Sequence, residues 1–193
     1  MLRGVIVDVF LSISQQPLGI PYHRDDQDLS SASYVDLKSD PNRIDSIPEA
    51  RQWPSLRRLL VQLNAPESKT MSLGCGVFVY APQGVARPQW SAYAYIGYCF
   101  ADLSQTARAI EYFPQFFHFS QHYAPRTNTG ANVFFELRPT IFIERNVQGF
   151  SLDYVVRPWA ASEEALNENI GAHLDALSDF LPLMGLTPLP TNP

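Results

Sequence analysis

This chain has no run of lysine or arginine beyond the pair Arg57–Arg58. Its 14 basic residues face 19 acidic ones, for a net charge of −5. A nucleic-acid binder draws most of its affinity from phosphate contacts and carries a basic stripe to make them. The lack of one argues against nucleic acid as partner, and the acidity argues against anionic membrane surfaces. Long apolar runs are missing too: none approaches the roughly eighteen residues of a membrane span. The N-terminal MLRGVIVDVFLSI is interrupted by Asp8, has one basic residue and lacks a small-residue cleavage site. A signal peptide is therefore not expected, and the cytoplasm is the default compartment.

Cysteine is scarce. Cys75 and Cys99 are too few for a disulfide framework or a zinc knuckle. Each sits in a stretch of small and apolar residues, where a thiol is core material rather than an activated nucleophile. The common catalytic signatures are absent as well. There is no G-x-x-x-x-G-K-[ST] and no G-x-S-x-G, and GCG at 74–76 lacks the third glycine of a dinucleotide turn. Glycines flanking Cys75 instead mark a bulge or close packing under a large aromatic ring.

What is present is a globular composition: 193 residues, 46% hydrophobic and 17% charged, with 12 Phe, 9 Tyr and 3 Trp. That length fits one domain with a proper core. Residues 3–13 alternate as a strand with an apolar odd face and a mixed even face. Residues 14–45 form a long polar loop, with a short strand near Tyr34–Leu37 as one option. Ser46 and Glu49 suggest a capping box, and Pro54 opens a helix with Leu56, Leu59, Leu60 and Leu63 on one stripe. Strands are expected at 70–81 and 89–101, joined through PQGVARP. The second, WSAYAYIGYCF, is apolar or aromatic on both faces and reads as an interior strand.

Asp102 and Gln105 suggest another capping box, opening a helical stretch to about 123 that Pro114 interrupts. Strands come next at 131–145 and 149–157. Pro139 in the first of them fits best at an edge or a bulge. Ser162 caps a last helix, with Leu166, Ile170, Leu174, Leu177 and Leu181 as its apolar stripe. Pro182 is expected to end it. Residues 1–186 thus make a single α+β domain, with 187–193 as a Pro-rich flexible tail. The predicted fold is an antiparallel or mixed sheet of about five strands with helices packed on it. Its order, β-α-β-β-α-β-β-α, resembles the ferredoxin-like and secretion-chaperone layouts in element order alone.

Candidate functional residues fall in three places. His118 and His122 are four apart in FFHFSQHYAP, as a helical metal pair would be. H-E-x-x-H fails because Phe119 stands where the Glu should be. A helical wheel puts both histidines in a polar arc with Glu111, Pro114 and Gln115. Ile110, Phe116 and Phe119 lie in the apolar remainder. The pair reads as a solvent or partner contact, anchored by the phenylalanines. Within the loop, His23, Arg24, Asp25 and Asp26 could bind a ligand or simply balance charge. Tyr93 and Tyr95, with Trp90 and Tyr98, offer either a stacking or contact surface or core packing beneath helices.

The leading functional expectation is a non-catalytic protein-interaction module: an adaptor, chaperone or inhibitor-type partner, with self-association as the other form of contact. Two alternatives accompany it. One is a small apolar-ligand binder with the 14–45 loop as lid, holding its ligand between sheet and helices. The other is a metal-assisted hydrolase drawing on His23, Asp25, Asp26, His118 and His122. No cofactor is expected.

Overall fold

A computed structural model describes residues 7–21, 34–84, 89–116, 119 and 130–188. Its centre is a six-stranded mixed sheet. The strands are β1 (Val7–Ile13), β2 (Leu18–Ile20), β3 (Thr70–Tyr80), β4 (Trp90–Phe100), β5 (Gly130–Phe142) and β6 (Val147–Ala160). Across the sheet the order is β1-β5-β6-β4-β3, with β2 also on β5. β1 and β2 run parallel to β5, and every other pairing is antiparallel. β1 lies directly beside β5 at one edge, with no strand between. With β2 inserted after β1 on that same edge, the sheet does not follow the ferredoxin-like layout.

Four α-helices are described among these residues: α1 (Pro48–Gln52), α2 (Pro54–Asn64), α3 (Ala109–Tyr112) and α4 (Glu163–Leu183). α2 and α4 pack together against one side of the sheet. The leucine stripes expected of them are what they bury. Leu56, Leu59, Leu63, Leu166, Ile170, Leu177 and Leu181 are all 0% exposed. At roughly 2 kcal/mol per buried aliphatic side chain, these seven contribute on the order of 14 kcal/mol of hydrophobic driving force. They meet alternate residues of the strands: Ala131, Val133, Phe135 and Leu137 of β5, Tyr154 and Val156 of β6, and Ala94, Ile96 and Tyr98 of β4.

Buried polar groups on this side are mostly paired, as burial demands. Gln62 Nε2 donates to Ser178 O at 2.9 Å and Thr187 Oγ1 at 3.0 Å. Tyr154 Oη donates to His173 O at 3.2 Å. Burial lowers the His173 imidazole to about 4, so it is neutral in the folded protein.

Several local expectations change. Ser162 caps α4 as expected, accepting from Ala165 N at 3.2 Å, but Pro182 lies inside the last turn rather than ending it. The Ser46 box does not form. Ser46 closes a 3₁₀ turn (Pro41–Ser46), and α1 starts from Ile47 without a side-chain cap. Asp102 does cap, accepting from Ser104 N at 3.0 Å, while Gln105 bonds Ser104 and Arg108 instead of closing a box. From Asp102 the chain runs through a 3₁₀ helix (Leu103–Arg108), then α3, then a 3₁₀ turn (Phe113–Gln115). A uniform 100° wheel does not describe such a chain, and Ile110, assigned to the apolar arc, is exposed. Phe116 and Phe119 are anchors nonetheless. Phe116 stacks on Phe135 at 3.9 Å, and Phe119 meets Tyr154 and Phe180 edge-on.

Within the expected 14–45 loop, the described residues include a strand and a 3₁₀ turn. β2 extends the edge begun by β1. On the far side, Leu37 is buried in a turn rather than a strand. Lys38 Nζ donates to Ala65 O at 2.6 Å and Ser68 O at 2.7 Å. Thr187 and Pro188, expected at the start of a free tail, are both bound by Gln62.

Pro139 sits in an interior strand, contrary to the edge or bulge expected. β1 pairs with β5 as far as Leu137, and β2 resumes at Thr140. Leu137 O accepts from Ser14 N, so by alternation the backbone of residue 139 points to the same side. Its missing N–H falls in the gap where Ser14–Pro17 leaves the edge.

Candidate functional site

The other side of the sheet divides in two. At one end a small second core closes over Ile20, Leu73, Cys99 and Phe142. Thr106, from the 3₁₀ helix after β4, lies directly over Gly149. At the other end the sheet carries a row of rings that crosses all five strand positions. Tyr80 on that half is 43% exposed.

The row arises from the period of two along each strand. Phe10 of β1 is paired with Phe134 of β5, and the rings stack with centroids 4.8 Å apart at 17°. On β6 the Arg157 guanidinium sits 4.9 Å from the Phe134 ring and 5.5 Å from the Tyr93 ring. Tyr93 of β4 then contacts Tyr95 at 5.8 Å and Phe78 of β3 at 6.2 Å. Phe10 is 44% and Phe78 49% exposed. Tyr93, Tyr95 and Phe134 are half-buried by one another and by the sheet.

Gly76 makes this arrangement possible. A Cβ there would stand 2.7 Å from the Tyr95 ring and 3.0 Å from the Phe78 ring. Of the two glycines around Cys75, Gly76 therefore marks close packing under an aromatic ring. A register shift between Ser72 and Gly74 supplies the bulge as well.

Beside the rings lies a charged cluster. Arg138 Nη2 donates to Asp153 Oδ2 at 2.8 Å and to Glu136 Oε2 at 2.9 Å. Asp153 is 6% exposed, in a space kept open by Gly97, whose Cβ would lie 2.7 Å from Asp153 Oδ1. Burial raises the Asp153 carboxyl to about 6, with Glu136 adding to the rise and Arg138 opposing it. Burial works against the Arg138 charge, but Asp153 and Glu136 hold its pKa above the ordinary value. Burial also raises the Tyr93 phenol, leaving it a neutral hydroxyl at physiological pH. On the flank of the row away from this cluster, a shallow groove of about 370 Å³ is lined by Tyr80, Ser91, Tyr93, Asn132, Arg157 and Trp159.

Of the residues singled out in the sequence, Tyr93 and Tyr95 lie together in this row. Trp90 and Tyr98 belong to the helix-covered side, where Tyr98 is fully buried. The aromatic strand thus serves both readings, one on each face. His23, Arg24, Asp25, Asp26, His118 and His122 lie outside the described residues. The cysteines sit on opposite sides of the sheet. Cys75 pairs with Ile96 and packs on the main core, whereas Cys99 pairs with Met71 in the second core. Burial raises both thiols, Cys75 to about 12, so neither is a ready thiolate. Among the described residues, no three His, Cys, Asp or Glu side chains gather as a metal site would need.

Phe10, Phe78, Phe134 and Arg157 were missed in the sequence, as were Glu136, Arg138 and Asp153. The mixed even face of β1 was the signal for Phe10. The others needed the strand order, which sets which residues become neighbours.

Chemically, the row offers preordered rings around one guanidinium. Arg157 has no carboxylate partner among the described residues, and its cation–π contacts are worth about 0.5–1 kcal/mol each at such exposure. Tyr and Arg are the residue types that dominate interface energies, and rings already held by neighbours lose little entropy on binding. No described helix is long and apolar enough to cross a membrane. Comparison with protein-family models, with curated proteins and with solved structures finds no match to this chain.

Proposed function

We propose that this chain is a non-catalytic protein-interaction module, of adaptor, chaperone or inhibitor type, that contacts its partner through the aromatic half of its open sheet side. The observation that carries this reading is the row Phe10–Phe134–Arg157–Tyr93–Phe78, which stays partly exposed on the side away from α2 and α4. Soluble domains seldom leave contiguous apolar surface open without a use for it. The charges on this side, Asp8, Glu136 and Asp153 against Arg138 and Arg157, do not make a phosphate-binding stripe. That balance favours a protein partner over a nucleic acid.

The test is affinity capture from cells of the source organism, with wild type compared against Phe134→Ala/Arg157→Ala. A partner that depends on the row is lost with the double variant. Each centrally placed ring or guanidinium removed from an interface costs about 1–2 kcal/mol or more, so the pair weakens binding by at least about thirtyfold.

A second reading rests on the groove. It would seat a small ligand with a planar apolar part against Tyr93 and Trp159 and an anionic or polar end at Arg157 and Asn132. This places the ligand on the open side rather than between sheet and helices, where fully buried side chains interdigitate. Arg157→Ala would then abolish small-molecule binding measured calorimetrically, with the fold unchanged.

A further inference from the structure

We infer that the outer edge of β3 is a self-association site, where a second copy of this chain adds its own β3 antiparallel and continues the sheet. β3 is the terminal strand of the sheet. Its start is occupied: Ser72 N donates to Asn64 Oδ1 at 3.0 Å, next to the bulge. Beyond the bulge, Cys75–Val79 pairs with β4 on its inner side, and its outer backbone has no partner among the described residues.

Soluble proteins blunt such edges with charges, prolines or breaks. The opposite edge does so. β1 carries Asp8, and the chain breaks away from β5 at Ser14–Pro17 before β2 resumes. From Thr70 to Tyr80 there is neither a charge nor a proline. The bulge is the one such device in β3, and it lies upstream of Cys75.

The composition of the strand names the occupant. Cys75, Val77 and Val79 point to the helix side and are half-buried against the main core. Phe78 points to the open side and is 49% exposed. An added strand must therefore be apolar on both faces and uncharged. β3 is such a strand. About a two-fold axis it meets itself with no like charges opposed, and each Phe78 extends the other copy's ring row. A ladder this short, with its flanking side chains, buries on the order of 500 Å² per copy. That is near the low end for specific interfaces and implies a weak, reversible dimer.

The β3 edge is separable from the partner surface, because Phe10 belongs to the row and lies at the edge opposite β3. Sedimentation velocity on the full chain, from about 1 to about 200 µM, tests the self-association. Wild type passes from monomer to dimer. Val79→Lys puts a charge at each end of the otherwise uncharged ladder, with room for the stem to reach solvent, and weakens the dimer at least about tenfold. Phe10→Lys leaves the dimer as in wild type. A wild type monomeric throughout, a Val79→Lys dimer of wild-type strength, or equal loss in Phe10→Lys overturns the inference. If circular dichroism shows Val79→Lys unfolded, Phe78→Lys at the exposed position is read in its place by the same criteria.

Discussion

Replacing Asp153 by Asn should make the protein lose more stability in acid, although Asp153 is a buried carboxylate in an ion pair. The reason lies in two buried groups with opposite linkages. The Asp153 carboxyl is raised from its ordinary 3.8 to about 6, chiefly by burial. Between those values the folded state holds more protons than the unfolded one, so stability from this group rises as pH falls from 6 to 4. The His173 imidazole is lowered from its ordinary 6.5 to about 4, again by burial. Between those values the unfolded state holds more protons, so stability from this group falls as pH falls. Each pH unit of displacement is worth about 1.4 kcal/mol, so each group contributes about 3 kcal/mol across the window. In wild type the two nearly cancel.

Asp153→Asn removes one side of that balance and His173→Gln the other. Urea unfolding monitored by circular dichroism at pH 4.5, 5.5, 6.5 and 7.5 measures both. Relative to wild type, Asp153→Asn should lose about 2 kcal/mol of stability on going from pH 7.5 to 4.5, because at 4.5 the linkage is not yet complete. His173→Gln should gain about as much relative to wild type over the same range. Carboxylates common to all three proteins cancel in the comparison. Three parallel stability curves would overturn this linkage, because they would mean that neither group carries a displaced pKa.

Packing sets two further outcomes. Gly76→Ala puts a Cβ 2.7 Å from the Tyr95 ring and should cost about 1–3 kcal/mol, lowering Tm by roughly 2–10 °C. Phe116→Ala removes a fully buried ring stacked on Phe135 and should cost about 3–5 kcal/mol by urea unfolding, while leaving the row on the opposite side in place.

Where the sequence was legible, periodicity made it so. The apolar stripes of α2 and α4 repeat at helical spacing and bury as read. The β3 and β4 boundaries reflect alternation broken by PQGVARP. The glycines beside Cys75 imply a bulge or a ring packed on them, and both occur, the bulge between Ser72 and Gly74 and the ring over Gly76. The long loop was harder. β2 is a short strand held only by its pairing to β5, and nothing local distinguishes Leu18–Ile20 from loop. The segment after Asp102 mixes 3₁₀ and α turns, so a wheel built on one pitch placed Ile110 on the buried side. The open-side row was invisible for a deeper reason. Phe10 and Phe134 are far apart in sequence, as are Phe134, Arg157 and Tyr93, and only the strand order and register make them neighbours. Tyr93 and Tyr95 were found because they sit in one strand.

The proposed use of that row is tested most directly by comparing what wild type, Phe134→Ala/Arg157→Ala and the control Leu183→Ser capture from source cells, read by quantitative mass spectrometry. Leu183 is 60% exposed at the end of α4, on the helix side of the sheet. A partner-binding row means a protein retained by wild type and by Leu183→Ser and depleted at least about tenfold by the double variant, with all three equally folded. Equal recovery with the double variant, or loss with Leu183→Ser alone, would contradict it.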